Sequence, residues 1–520
     1  MMYKWIKITL VSSIVLAFVA LILAIRGNPG SPTVADLDTP AWKENGPFEL
    51  SPERGRYALT YSIVEDKSLF FSIPLARFVT PDLGYKDGKY VSLFAPAVSY
   101  MAIPGYVLGR FFGVAQFGSF MTSALFALGN VYLIYLISKR LGASKIASLI
   151  AGFTFLFATP GFTYAVSLYQ HHISTFIILM SAYLAINFTS WISLALIWLL
   201  AMTSLSVDYP NLVIMLPIAF FCLHQLIEIK TGETLSIQLH FGKWLSVVGA
   251  IVPLVFFFWF NQASYGNPLQ FSGTVQSVSQ IDEFGQPAID LSQAGDNAQA
   301  VINSEKQENK TALGFFQTRS MLNGLHILIF SKDRGLLVFT PVLLVAILGM
   351  VDLSKRKPSQ TVLLISIITA NILLYGMWGD PWGGWAFGAR YLIPSYAILA
   401  IFIAIALSKW KKNIVVLGIY FVLTAYSTYI NTAGALGSSA NPPKVQVLQL
   451  EKLTGRQEKY TYERNLDMLR INTSKSFVFR AYASKYLSSW EYFNVIYSSL
   501  VVIFGLLIIT LYVRHKGDKS

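Results

Sequence analysis

A succession of apolar runs constrains this chain more than anything else. Many approach or exceed the roughly 18–20 residues an α-helix needs to cross a bilayer core. Core helices of a soluble domain would carry a polar stripe instead. Composition agrees: 54% of the residues are hydrophobic and 13% are charged, where soluble domains average about 25% charged. The formal net charge of +13 comes from Lys and Arg in short clusters between apolar runs. Such clustering is a topology signal rather than a nucleic-acid patch. The single Cys222 lies inside an apolar run, so neither a disulfide framework nor a Cys metal site is available. Met1 to Arg26 has a long apolar core and no small-residue cleavage site, and reads as a retained first helix rather than a signal peptide.

Positive clusters orient the runs. Lys4 and Lys7 place the N-terminus in the cytoplasm, so a helix at about 7–25 runs outward. Lys139, Arg140 and Lys145 should again be cytoplasmic, although two apolar stretches, 91–112 and 118–138, intervene. The conflict disappears if 91–112, with Pro96, Pro104 and Gly105, is a broken helix that does not cross. Helices near 146–164, 173–189, 190–206, 210–228, 244–261, 336–353, 361–377, 391–408, 414–431 and 493–513 then alternate, with every dense positive cluster inside. The expectation is an all-α polytopic membrane protein of about 12 crossings, with both termini cytoplasmic. A transmembrane module covers 1–431, with outer loops at 27–112 and 262–334. An outer amphipathic segment (432–492) and a last helix with its tail (493–520) follow. Residues 273–312, poor in aromatics, read as a mobile loop. Residues 444–480 read as interfacial helices.

Chemistry-bearing residues gather at the outer ends. The first outer loop alternates carboxylates and cations: Glu53, Arg54 and Arg56 beside Tyr57, then Glu65-Asp66-Lys67, Asp82 and Lys89. A carboxylate there can deprotonate a hydroxyl or bind a metal, and Arg or Lys can hold a phosphate. Gly55 is expected to let the backbone turn and aim the Glu53 carboxylate towards the membrane. His171 and His172 end one helix. As neighbours they cannot face one direction, so at most one should point inward and a two-histidine metal site is poorly supported. Asp208 ends another helix pair. The run from Tyr375 to Tyr391 alternates Trp and Gly and carries Asp380, Trp382, Trp385 and Arg390. Aromatic planes there suit the apolar faces of a sugar. Lys332-Asp333-Arg334 sits where the chain re-enters the membrane, well placed for a lipid headgroup.

With these residues in view, the chain resembles the GT-C fold, polyprenyl-phosphate-dependent membrane glycosyltransferases of the protein O-mannosyltransferase and aminoarabinose-transferase superfamily. Glu53, three residues before Arg56-Tyr57-Ala58, matches the acidic position of the family's first loop, and Lys89 matches its later lysine. Lys332-Asp333-Arg334-Gly335-Leu336 and the stretch from Trp382 to Pro394 resemble motifs of bacterial members. Tyr169 to His172 and Asp208 depart from the pattern where the family has a second acidic residue and a lysine. Tyr90-Val91-Ser92 stands where adjacent prolines are usual.

The resemblance implies transfer of a sugar from a polyprenyl-phosphate donor to a hydroxyl of a glycan, lipid or protein on the non-cytoplasmic face. It places the protein in the plasma (inner) membrane among membrane lipids, and leaves a divalent metal open. On this reading Glu53 is the base and Lys89, Arg390, Arg334 and Arg56 hold the donor phosphate. Tyr57, His171, Asp208, Asp380, Trp382 and Trp385 form the sugar and acceptor pocket. A polymerase or ligase of lipid-linked oligosaccharides is the first alternative, but it needs no Glu-x-x-Arg-Tyr pattern before a non-crossing helix. A transporter would place ionisable residues near the bilayer midplane, where this chain has almost none.

Overall fold

A computed structural model describes residues 2–231, 235–288, 312–455 and 457–517. Most of the 273–312 stretch expected to be mobile lies outside the described residues.

Helices dominate. α1 (Met2–Ala24) is followed by the first loop, which holds α2 (Ser51–Tyr61) and a hairpin of β1 (Leu83–Lys86) and β2 (Lys89–Ser92). Next come α3 (Ala97–Phe111), α4 (Ala115–Arg140), α5 (Lys145–Phe157), α6 (His171–Asn187), α7 (Trp191–Val207), α8 (Asn211–Leu226) and α9 (Ile251–Tyr265). The short β3 (Ser277–Val278) pairs antiparallel with β1, giving the strand order β2-β1-β3. The remaining helices used below are α10 (Ala346–Arg356), α11 (Pro358–Gly376), α12 (Ile393–Trp410), α13 (Ile414–Leu436), α14 (Lys444–Thr454), α15 (Glu463–Arg470) and α16 (Ser489–Gly517).

Among the described residues seven helices are long and apolar enough to cross a membrane, and α5 to α8 are shorter apolar helices of 10–17 residues. The chain is an integral membrane protein. The run expected as one helix at 336–353 is broken instead. Leu336–Phe339 and a tight 3₁₀ turn over Pro341–Val345 precede α10, because Pro341 cannot donate to the preceding turn. The stretch 91–112 divides into β2 and α3. Its 15-residue helix is not among the seven, and a short turn folds it back onto α4. Gly105 and Gly109 of α3 lie against Gly118 of α4 so closely that a Cβ at Gly118 would collide with the Gly105 carbonyl. Small residues permit such backbone approach where no hydrophobic force drives helices together in lipid.

Hydrogen bonds show which ends of the helices meet. Arg356 donates to the Leu141 carbonyl, Lys357 to the Arg140 carbonyl and the Ser144 amide to Ser408, while Lys409 pairs with Asp352 at 2.7 Å. The clusters 139–145, 352–357 and 408–412 therefore share one end of the bundle. At the other end Arg26, just past α1, meets Val166, Glu49, Gly434 and Ser439. Between them α12 is buried along nearly its whole length and forms the bundle's axis.

Candidate active site

α2 distributes its motif by helical geometry. Pro52 sits in the first turn, where a missing N–H costs nothing. Pro52 and Arg56, four apart, face a cavity of about 440 Å³; Glu53 and Tyr57, one position on, face the protein interior. Arg54 turns away and donates to the Thr80 carbonyl at 2.8 Å. Gly55 lies inside the helix and does not turn the backbone. It leaves room for Phe94, whose ring would stand 2.6 Å from a Cβ there.

The cavity is walled by apolar side chains from several elements, among them Leu93, Phe94, Val213, Phe271 and Phe316. Tyr375 stacks flat on Tyr391 (centroids 4.2 Å apart) and Trp378 on Phe315 (5.3 Å), and all four rings line it. At its polar end Arg56 and Arg390 both approach the Tyr169 ring, at 6.0 and 5.6 Å. Arg56 also lies over Phe94 at 4.9 Å, and Arg390 over Tyr391 at 5.5 Å. Arg56 spends one N–H on the Pro52 carbonyl. Its Nε, and Nε and Nη1 of Arg390, are buried without a hydrogen-bond partner. Asp208 closes the group, accepting from Gln170 at 3.1 Å. Burial raises its pKa, and Gln170 and the two guanidinium groups pull it back.

Glu53 occupies a compartment behind this wall. Its side chain is fully buried; Oε1 lies 3.3 Å from the Ser439 hydroxyl, Oε2 makes no close hydrogen bond, and the Tyr169 hydroxyl is near enough to favour the ionised carboxylate. Arg26, also fully buried, pairs with Glu49 at 2.7 Å and donates to Gly434 and Ser439. The Ser439 hydroxyl and amide also reach Glu49. The two carboxylates consequently differ. Against the cost of burial, Arg26 and Lys475 hold Glu49 down to about 2. Burial pushes Glu53 up to about 7, opposed by Arg26 and reinforced by Glu49. A carboxyl of that strength, with one bare oxygen, suits proton transfer near neutral pH.

The structure gathers only some of the expected site residues. Arg56, Arg390 and Asp208 line the cavity, with Glu53 and His171 adjoining it. Lys89 is exposed on β2, its ammonium 4.2 Å from the Phe70 ring, outside the cavity. Arg334 is not free for phosphate. It is fully buried and donates to the carbonyls of Asp333, Trp382, Gly384 and Asn441. Tyr57 packs between Phe48 and Tyr106 in the core. Asp380 is exposed and accepts from the Gly384 amide within its own loop, and Trp385 donates to Gln446. Trp382 likewise is not among the lining residues.

The glycines of that loop explain themselves. Gly383, Gly384 and Gly388 have φ of +71°, +63° and +61°, a region costly for other residues. A Cβ on Gly383 would sit 3.0 Å from Arg390 Nε. The Trp-Gly alternation is thus a backbone device that seats Arg390, and Arg334 fastens it. Replacing Arg334 by Met should orphan buried carbonyls, lower the thermal midpoint by about 5 °C and weaken ligand binding together. A ligand-binding role alone would leave the midpoint unchanged.

His171 and His172 are both buried, because the start of α6 is enclosed on all sides. His172 donates from Nε2 to the Gly161 carbonyl and accepts at Nδ1 from the Asn130 amide. His171 stacks on Tyr169 with Nε2 unpartnered. Sequence reasoning passed over Arg26, Glu49 and Ser439, and noticed Tyr169 and Gln170 only as part of the segment from Tyr169 to His172. Arg26 carried a signal, as the first charge after an unbroken apolar helix, but read only as a boundary. Among the described residues no three His, Cys, Asp or Glu side chains form a metal-ligating group. Glu49 and Glu53 share Arg26 as counter-ion, which does not fit a divalent cation.

No protein-family model and no curated protein matches the chain. Among solved structures it is similar to ArnT from Cupriavidus metallidurans in the apo state, with 10% identity over 98% of this chain and 77% of that chain and a TM-score of 0.42. It is similar to the same protein bound to undecaprenyl phosphate, with 11% identity, the same coverage and a TM-score of 0.46. It is also similar to the apo oligosaccharyltransferase of Archaeoglobus fulgidus, with 13% identity over 85% of this chain and 58% of that chain and a TM-score of 0.42.

Proposed function

We propose that the protein is a membrane glycosyltransferase that moves a sugar from a polyprenyl-phosphate-linked donor to an acceptor hydroxyl of a glycan, lipid or protein. The observation that carries this reading is the pair Arg56 and Arg390, whose unpaired, buried N–H groups flank Tyr169 at the polar end of an apolar-walled cavity. Buried donors without partners are costly, and an anion would satisfy them. With Asp208 ionised the group bears one net positive charge, which balances the single negative charge of a sugar phosphodiester. The apolar walls suit the first isoprene units, and the paired rings Tyr375–Tyr391 and Phe315–Trp378 suit the face of a sugar.

Transfer proceeds by direct displacement. The acceptor oxygen attacks the anomeric carbon as the bond from that carbon to the phosphate oxygen breaks. The hydroxyl proton passes to Glu53 by way of the Tyr169 hydroxyl, which takes it while giving its own to the carboxylate behind the wall. The leaving group departs as polyprenyl phosphate, its extra negative charge met by Arg56 and Arg390. Asp208 is the rival base, since it lines the cavity. The site lies at the end opposite the clustered Lys and Arg residues, which the positive-inside rule puts in the cytoplasm. The reading therefore places chemistry at the non-cytoplasmic face of the plasma (inner) membrane.

The test is turnover by purified protein in lipid nanodiscs, offered a panel of polyprenyl-monophosphate sugars and, separately, polyprenyl-diphosphate oligosaccharides. Release of polyprenyl phosphate with sugar transfer is expected from at least one monophosphate donor. Turnover of diphosphate donors alone would favour a polymerase or ligase, and binding of neither class would sink the proposal.

A further inference from the structure

A second cavity, of about 410 Å³, lies at the opposite end of the bundle, between α1, α4 and α5. Its walls include Leu10, Ile14 and Phe18 of α1, Tyr132 and Tyr135 of α4, and Phe153 of α5. Along α5 it runs from Lys145 to Phe157, about 18 Å at 1.5 Å per residue. That is a little over half the roughly 30 Å hydrocarbon core, so the groove has the depth of one leaflet.

Its polar end is cationic. Lys145 lines the groove itself. Lys139 extends over the ring of Tyr135, 5.4 Å from its centre. Lys7 precedes Leu10, Ile14 and Phe18 by three, seven and eleven residues, and so shares their helix face. No Asp or Glu occurs in residues 1–35 or 88–207, which include all three walls. Among the described residues none of the three lysines has an ion-pair partner. Asp352, which shares this end of the bundle, is already held by Arg356 and Lys409.

We infer that this groove binds one anionic phospholipid, its acyl chain along α1, α4 and α5 and its headgroup phosphate on Lys139 and Lys145. The charge argues for this occupant over a neighbouring helix, since a transmembrane segment would bring no anion to the three lysines. A lysine near an anionic headgroup contributes about 1 kcal/mol, so two should favour an anionic over a zwitterionic headgroup by about tenfold or more. The site is independent of the glycosyltransferase reading and would stand if that reading failed.

Native mass spectrometry of delipidated, full-length protein tests it, with phosphatidylglycerol and phosphatidylcholine of matched chain length as probes. The wild type should retain one phosphatidylglycerol at about tenfold higher occupancy than phosphatidylcholine. The double variant Lys139→Gln/Lys145→Gln should lose that preference, and Leu149→Trp, which fills the groove, should lose both lipids. A preference that survives the double variant would overturn the inference, as would equal binding of both lipids. So would a wild-type dimer that Leu149→Trp converts to monomer, because a second copy would then be the occupant. Unchanged thermal midpoints of the variants establish that each is folded.

Discussion

Glu53→Gln is expected to lower turnover by about 10²-fold or more while donor binding is retained. The substitution keeps the shape and the contact with Ser439 but removes the ability to take a proton. Glu53 is fully buried with Oε2 in no close hydrogen bond, and that burial, only partly offset by Arg26, raises its affinity for protons to near neutrality. Arg26 and Glu49 form a closed pair at 2.7 Å, which leaves Arg26 unable to hold Glu53 fully ionised. Asp208→Asn is the control. If it is inactive while Glu53→Gln turns over normally, the base is the carboxylate in the cavity wall.

The same arrangement fixes a pH dependence and its sign. With Glu53 as the base, activity requires it ionised, so the acid limb of the profile should rise through pH about 7. Glu49→Gln removes a neighbouring negative charge and frees Arg26, and both changes favour ionised Glu53. The limb should move to lower pH. The other charged or titratable neighbours, Arg54, Arg56, Tyr169 and Lys475, are untouched by that variant. A limb that stays in place or moves up would show that Glu53 does not set it.

Arg390→Ala should weaken donor binding by about 10–100-fold, the loss of a charge-assisted hydrogen bond of roughly 1.5–3 kcal/mol. Arg56→Ala should act similarly and less strongly, because one Arg56 N–H is already committed to Pro52. Arg390→Lys should rescue only part of the loss. An ammonium cannot grip two phosphate oxygens as a guanidinium fork does, nor spread its charge between the rings of Tyr169 and Tyr391, which Arg390 approaches at 5.6 and 5.5 Å. Donor affinity measured on the purified variants decides it. Wild-type affinity in both alanine variants would remove the phosphate role, and a fall in thermal midpoint like that of Arg334→Met would mark Arg390 as structural.

Several features were readable from the chain alone. Apolar run length identifies a helical membrane protein, because the bilayer satisfies no backbone polar group and leaves the helix to do so internally. Clusters of Lys and Arg mark which helix ends belong together, and the structure joins Arg140 to Lys357 and Leu141 to Arg356. Arg56 and Arg390 stood out as cations of outer loops and Asp208 as a charge at a helix end near the membrane, and the structure brings the three to one cavity.

Tertiary structure decided the rest, since side-chain direction and enclosure depend on partners distant in sequence. Arg334 and Arg390 look alike as sequence, each an arginine beside a membrane entrance. Loop carbonyls from Trp382, Gly384 and Asn441 consume the donors of Arg334, and none reaches those of Arg390. Glu53 was legible as an acid in the first loop. Its environment was not, because Arg26, Glu49 and Ser439 come from three separate segments, up to 413 residues apart. Lys89 sits in a loop motif that predicts a site, yet the β1–β2 hairpin turns it to solvent. Sequence spacing assigns a residue to an element and a face. What that face meets is set by packing, and packing alone separates an arginine with unspent donors at a cavity from an arginine that braces a loop.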